Sequence, residues 1–274
     1  MENKVKSEKN RKIIDVHTHV FPDKIALRAV DNVANYYSIH MSGNGTLFGL
    51  LDGAETLDAR FVISNAALKV ENVRRGNDFL IECTKSLPER FVYLGSVHPD
   101  MEEKEMCKEL EYIKENDGRG IKLHPDFQHF KIEDPMMFSV YKEAERLELP
   151  ILFHVGDENT VNSTPKAVRF VADKFPDLEI IAAHMGGYMA WDEAEEYLIG
   201  SRVYMDTSDA LLVLSPERVY NMVNRHGADR IMFGSDFPLK STFDAYIEFD
   251  VLPLSDSQKE QIYYKTAESV FKIK

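Results

Sequence analysis

Cysteine is scarce in this chain of 274 residues: Cys83 and Cys107 are its only thiols, both fall in segments of helical period, and they form no CxxC arrangement. A disulfide framework is therefore excluded as a source of stability, and two reduced, buried thiols in a cytoplasmic protein are the expectation. No apolar run approaches the ~18 residues of a membrane span. Residues 1–12, MENKVKSEKNRK, lack the apolar core of a signal peptide and read as a solvated tail. Positive charge is also short, with 33 Lys and Arg against 46 Asp and Glu, a formal net charge of −13. Such a field repels phosphate backbones and anionic headgroups, so neither nucleic acid nor a membrane is an expected partner. Repeats, low-complexity tracts and linkers are missing, which leaves one domain over 13–274 as the simplest organisation.

What is present is enough apolar residue for a large core, 44% of the chain, arranged in alternation. Eight short apolar runs rich in β-branched and aromatic residues span 13–19, 59–65, 90–97, 119–124, 150–156, 179–187, 202–208 and 230–236. Between them lie charged segments with apolar residues three or four apart, such as 101–116, 134–149 and 163–175, which predict helices. Asp134-Pro135, Thr164-Pro165 and Ser215-Pro216 each set a capping side chain before a proline, a local signal for a helix start. Eight strand–helix units with right-handed crossovers close into a single (β/α)8 TIM barrel. An open doubly wound sheet would use fewer strands, and its phosphate-binding glycine fingerprint is missing after the first run. Residues 22–58 depart from the alternation: a helix is expected over 24–37, then a glycine-containing loop. The insertion at about 38–58 emerges at the catalytic face, as a lid or as a loop lying on the barrel wall.

Polar residues at the strand ends carry the chemistry. In DVHTH, period-two alternation places His17 and His19 on one face of the first strand, with Asp15 one layer deeper in a hydrogen-bonding role. The fifth run ends in His154, the sixth in His184 and the eighth in Asp236. Unpartnered buried imidazoles and carboxylates are costly, so five of them aimed at one point predict a cation site. Nitrogen and oxygen donors in this number suit zinc first, with manganese or iron as alternatives. Lys122 and His124 share a face of the fourth strand. For Lys122 three roles are open: stabilising charge or binding substrate, a carbamate bridge between two ions, or a structural ion pair. His124 lines the pocket or bonds a loop, and His98, at the end of the third run, is a further pocket candidate. His40, His129 and His226 read as surface or loop histidines.

The segments DVHTHVFPDKIA, GIKLHPDFQ, PILFHVG, AAHMGG and FGSDFP, in this order, resemble the amidohydrolase superfamily over roughly residues 13–272. The resemblance is to the amidohydrolase-2 branch, TIM-barrel metal-dependent hydrolases together with aminocarboxymuconate-semialdehyde decarboxylase and related nonoxidative decarboxylases. It implies that His17, His19, His154 and Asp236 bind one divalent metal. It further implies that Asp236 accepts a proton from water, that His184 acts on water or substrate, and that Lys122 occupies the position of the bridging lysine of two-metal members. The expected activity is hydrolysis of a C–N or C–O bond in a small polar molecule. Metal-dependent nonoxidative decarboxylation of a small carboxylate is the alternative, and a homodimer is the expected assembly.

Overall fold

The computed structural model describes residues 11–274. Residues 1–10 of the expected solvated tail lie outside the described residues, and Lys12 already belongs to the first strand. Eight parallel strands follow: β1 (Lys12–His19), β2 (Asp58–Ser64), β3 (Phe91–Leu94), β4 (Ile121–Leu123), β5 (Ile151–Phe153), β6 (Ile180–Ala182), β7 (Tyr204–Asp206) and β8 (Ile231–Met232). They pair in sequence order as β1-β2-β3 and β4-β5-β6-β7-β8. Two bridges close the circle, Gly95 to Ile121 and Thr18 to Phe237. The Lys122 amide donates to Gly95 O at 2.8 Å and the His19 amide to Phe237 O at 2.7 Å. The expected TIM barrel is thus the fold. No helix among the described residues is long and apolar enough to cross a membrane.

The predicted runs overshoot most strands at their C-terminal ends, where the barrel splays and neighbouring backbones separate into loops. Ile14, Val16, Val62, Leu94, Leu152, Ile181 and Met232 form an interior cluster against Ala267, Val270 and Phe271 of the C-terminal helix. A larger cluster lies between the strands and the surrounding helices and includes Ile13, Phe61, Ile63, Tyr93, Ile121, Ile151 and Phe153. The interior is therefore a packed core with polar groups confined to its C-terminal mouth.

Local signals act as expected at the helix starts. Asp134, Thr164 and Ser215 each accept a hydrogen bond from a backbone amide of the turn they open. The insertion carries α1 (Asp23–Tyr37) and, inside the stretch expected to be a loop, α2 (Leu47–Asp52), whose start is capped by Thr46. After β8 comes α3 (Thr242–Asp250). Cys83 and Cys107 are free thiols, the first buried and the second half-buried.

Candidate metal centre

A bulge in β1 aims the paired histidines. Asp15 pairs with Phe61 and Thr18 with Ile63, so β1 spends one residue more than β2 between these points. Val16 stays in the interior cluster while His17 projects into the barrel mouth. Asp15 does not share the histidines' environment as strict alternation predicts. Its oxygens accept from the Ser235 amide (3.0 Å) and the Thr242 hydroxyl (2.7 Å), and burial pushes its carboxyl up to about 7.

His17 Nδ1 lies 3.0 Å from Asp206 Oδ2, and His19 Nδ1 3.3 Å from the Ser64 carbonyl oxygen. Both Nδ1 atoms therefore donate, which turns both Nε2 lone pairs toward the barrel mouth, that of His17 also facing Lys122 Nζ at 2.9 Å. Those two Nε2 atoms converge on Asp236 Oδ1, at 3.2 Å from His17 and 3.3 Å from His19. Burial raises the Asp236 carboxyl, but His17, His19 and His184 outweigh burial and hold it well below the usual carboxylate range. Burial, with Lys122 adding to it, pushes the His17 imidazole down to about 4. Two imidazole nitrogens thus converge on one carboxylate oxygen at 3.2 and 3.3 Å, a spacing of donor atoms that a cation between them would bridge. The donor set thus fits a divalent ion bound through two nitrogens and an oxygen.

Lys122 is fully buried, its Nζ 2.9 Å from His17 Nε2, and burial lowers it to about 8. It lies beneath the donors and does not line the cavity above them. His154 stands in a neighbouring group with His124 and Asp126. Its Nδ1 is 3.0 Å from His184 Nε2 and its Nε2 is 2.8 Å from the Gly156 carbonyl oxygen. Gly156 has φ +85, and an added Cβ would meet Tyr188 O at 2.1 Å, so glycine is required for the chain to fold back onto His154. His124 stacks on His154, ring centroids 4.0 Å apart, and on Phe127 at 4.0 Å. His98 accepts from the Asp100 amide at 3.1 Å and does not line the cavity, because it is turned into its own loop.

His184 lies two residues beyond β6, in a turn where His184 and Met185 have φ of 59 and 52. Its Nδ1 is 2.9 Å from Ser208 Oγ and 3.1 Å from Asp209 Oδ2. Asp209 itself has φ 60 and lines the cavity, whereas His184 stands behind it. Burial, reinforced by the Asp236 charge, pushes Asp209 up to about 7. Burial would lower His184, but Asp209 outweighs it and the imidazole is raised. The pair can therefore keep a proton near neutral pH. His184, Asp209 and Asp236 offer ligand atoms within 4.8 Å of one another.

Sequence reasoning missed Asp206, Ser208, Asp209 and Tyr37. Asp206 closes β7 as a strand-end carboxylate, the same signal that singled out Asp236. Tyr37 comes from α1, its hydroxyl 3.2 Å from His154 Nε2, 3.4 Å from His124 Nε2 and 3.2 Å from Asp157 Oδ2. With Tyr36, Phe127 and Tyr188 it walls a cavity of about 470 Å³ above His17, His19 and Asp236.

A family model described as Amidohydrolase matches residues 14–273. Among curated proteins, γ-resorcylate decarboxylase of Polaromonas sp. (strain JS666) is 22% identical over 260 residues, covering 77% of this chain and 79% of that protein. Among solved structures, an uncharacterized TIM-barrel protein of Bordetella bronchiseptica superimposes with a TM-score of 0.76 at 18% identity, over 96% of this chain and 99% of that one. A dihydroxybenzoic acid decarboxylase of Polaromonas sp. JS666, solved with manganese and the inhibitor 2-nitroresorcinol, does so with a TM-score of 0.64 at 16% identity, over 96% and 97%.

Proposed function

The chain belongs to the amidohydrolase family, and on that premise we propose that it is a metal-dependent nonoxidative decarboxylase of an aromatic carboxylate. The decarboxylase names among its relatives support this reading, whereas hydrolysis of a C–N or C–O bond draws support from the family alone. The observation that carries the proposal is the cavity-facing Asp209 backed by His184, 3.1 Å apart and set beside the metal donor Asp236.

His17, His19 and Asp236 would hold the ion, with His154 adjacent, and zinc or manganese suits these donors. When bound, a divalent ion supplies a positive anchor for the substrate's carboxylate or phenolic oxygen and withdraws electrons from it. Asp206 fixes His17 through Nδ1, and the Ser64 carbonyl does the same for His19. Lys122, beneath His17, adds positive charge under the anionic end of the substrate. Asp209 delivers its proton to the ring carbon that bears the carboxylate. The electrons of the C–C bond return to the ring as CO2 departs, and His184 passes Asp209 a replacement proton. Asp209, with a pKa of about 7, is matched to proton transfer near neutral pH.

The test is CO2 release from dihydroxybenzoates by metal-loaded and metal-stripped protein, beside a panel of esters, lactones and amides. Metal-dependent CO2 release that is lost in Asp209→Asn while the ion is retained is the expected result. Cleavage of the ester panel without CO2 release from any acid overturns the proposal.

A further inference from the structure

The cavity encloses about 470 Å³, and about 150 Å³ is enough to hold a benzene ring. A single ring with its carboxylate and hydroxyls therefore fills roughly half of it. The strand ends supply the polar floor. The facing wall is Ala29, Val30 and Val33 of α1, Ile39 and Met41 beyond it, and Leu68 after β2. Its position is fixed by close packing: Gly45 has φ +70, and a Cβ there would meet Val30 Cγ2 at 2.8 Å. Among the described residues, no lysine or arginine lines the cavity. Asp126 does, but one oxygen accepts from the Ser163 hydroxyl at 2.6 Å and the other from the Thr160 hydroxyl.

We infer that the substrate carries an uncharged apolar substituent on its ring, an alkyl chain or a second ring, which the α1 wall receives. The inference rests on the decarboxylase reading and narrows its substrate class. A second anionic group would meet no counter-charge on this wall, and a bare hydroxybenzoate would leave the wall in contact with water. Apolar burial improves binding by about fourfold per methylene, so a chain of three or four carbons separates the two cases clearly.

The experiment is a 2,6-dihydroxybenzoate series with hydrogen through pentyl at the 4-position, assayed for CO2 release by metal-loaded protein. The expected result is a rise in kcat/KM of about fourfold per methylene over the first three carbons, and a smaller dependence in Val33→Asp and Met41→Asp. Binding of the matching 5-alkylresorcinols, read by calorimetry, probes the wall without turnover and should rise by the same factor. Release of CO2 with a flat or falling dependence on chain length overturns the inference and leaves the decarboxylase reading standing. Chain-length-dependent resorcinol binding without CO2 release from any acid supports the apolar wall and sinks the decarboxylase reading instead. Flat resorcinol binding overturns the wall whatever the turnover.

Discussion

Replacing Asp206 by Asn should weaken metal binding by forcing a change of tautomer at His17. Asp206 Oδ1 accepts from the His184 amide (3.2 Å), the Ser208 amide (3.0 Å) and the Ser208 hydroxyl. In the variant that position must remain an oxygen, since backbone N–H groups point at it. The new NH2 therefore takes the place of Oδ2, 3.0 Å from His17 Nδ1. Two donors cannot share that contact, so His17 must move its proton to Nε2, the atom that faces Asp236 Oδ1. The lone pair meant for the ion is then lost. Disrupting such an outer partner of a metal-binding histidine lowers affinity by about 10–100-fold, which is about 1.4–2.7 kcal/mol. The assay is competition between protein and a fluorescent chelator for zinc and for manganese, with circular dichroism showing that the metal-free variant still unfolds cooperatively. A folded variant within threefold of the wild-type affinity would refute the tautomer argument.

One divalent ion per chain is expected, and His17→Ala or His19→Ala should remove most of it. Fewer than ~0.2 ions per chain in protein refilled with zinc, manganese or iron would contradict the site, and density for a carboxylated Lys122 bridging two ions would contradict the count. Tyr37→Phe should raise KM several-fold with a smaller change in kcat, because the hydroxyl that ties α1 to His154 and Asp157 is lost; KM within twofold of wild type would count against it. His226, expected at the surface, is fully buried: its Nε2 donates to Val203 O at 2.9 Å and its Nδ1 accepts from the Gly200 amide at 3.2 Å. Burial pushes it down to about 4 from 6.5, so between these values the unfolded chain takes up a proton that the fold refuses. Its stabilising effect is full above pH 6.5 and lost toward pH 4, by about 3 kcal/mol at most; urea unfolding of His226→Gln should fall less steeply over this range, and parallel profiles would disprove the assignment.

Features that depend on local period were legible in the sequence: eight strands, the proline-marked helix starts, and the placement of His17 and His19 at the end of the first strand. Features that depend on an added residue or an unusual dihedral were not. The β1 bulge turns Asp15 away from the histidines, and no periodicity in DVHTH announces it. His184 and Asp209 take left-handed backbone conformations past the ends of their strands, so counting along a strand cannot say which of the two faces the cavity. Tyr37 was invisible for another reason. Its hydroxyl meets side chains 87 and 117 residues away, and only the path of α1 across the barrel mouth brings them together. Asp206 is legible by strand position alone, since it is the last residue of β7.

Among the described residues, neither arginine nor lysine lines the cavity. That absence bears on how a carboxylate is gripped, and a bound cation with Lys122 beneath it can meet the need. The proton decides more. Hydrolysis asks Asp236 to take a proton from water, and His17, His19 and His184 hold its carboxyl well below the usual range. Asp209 is its opposite, a carboxyl raised to about 7 by burial and by the charge of Asp236 itself. Two carboxyls pushed apart in this way divide ligand from acid, and an acid facing the cavity is what protonating a ring carbon requires. The same ion site would serve either reaction, and the cavity-facing Asp209 is the group that the proposed decarboxylation adds to it.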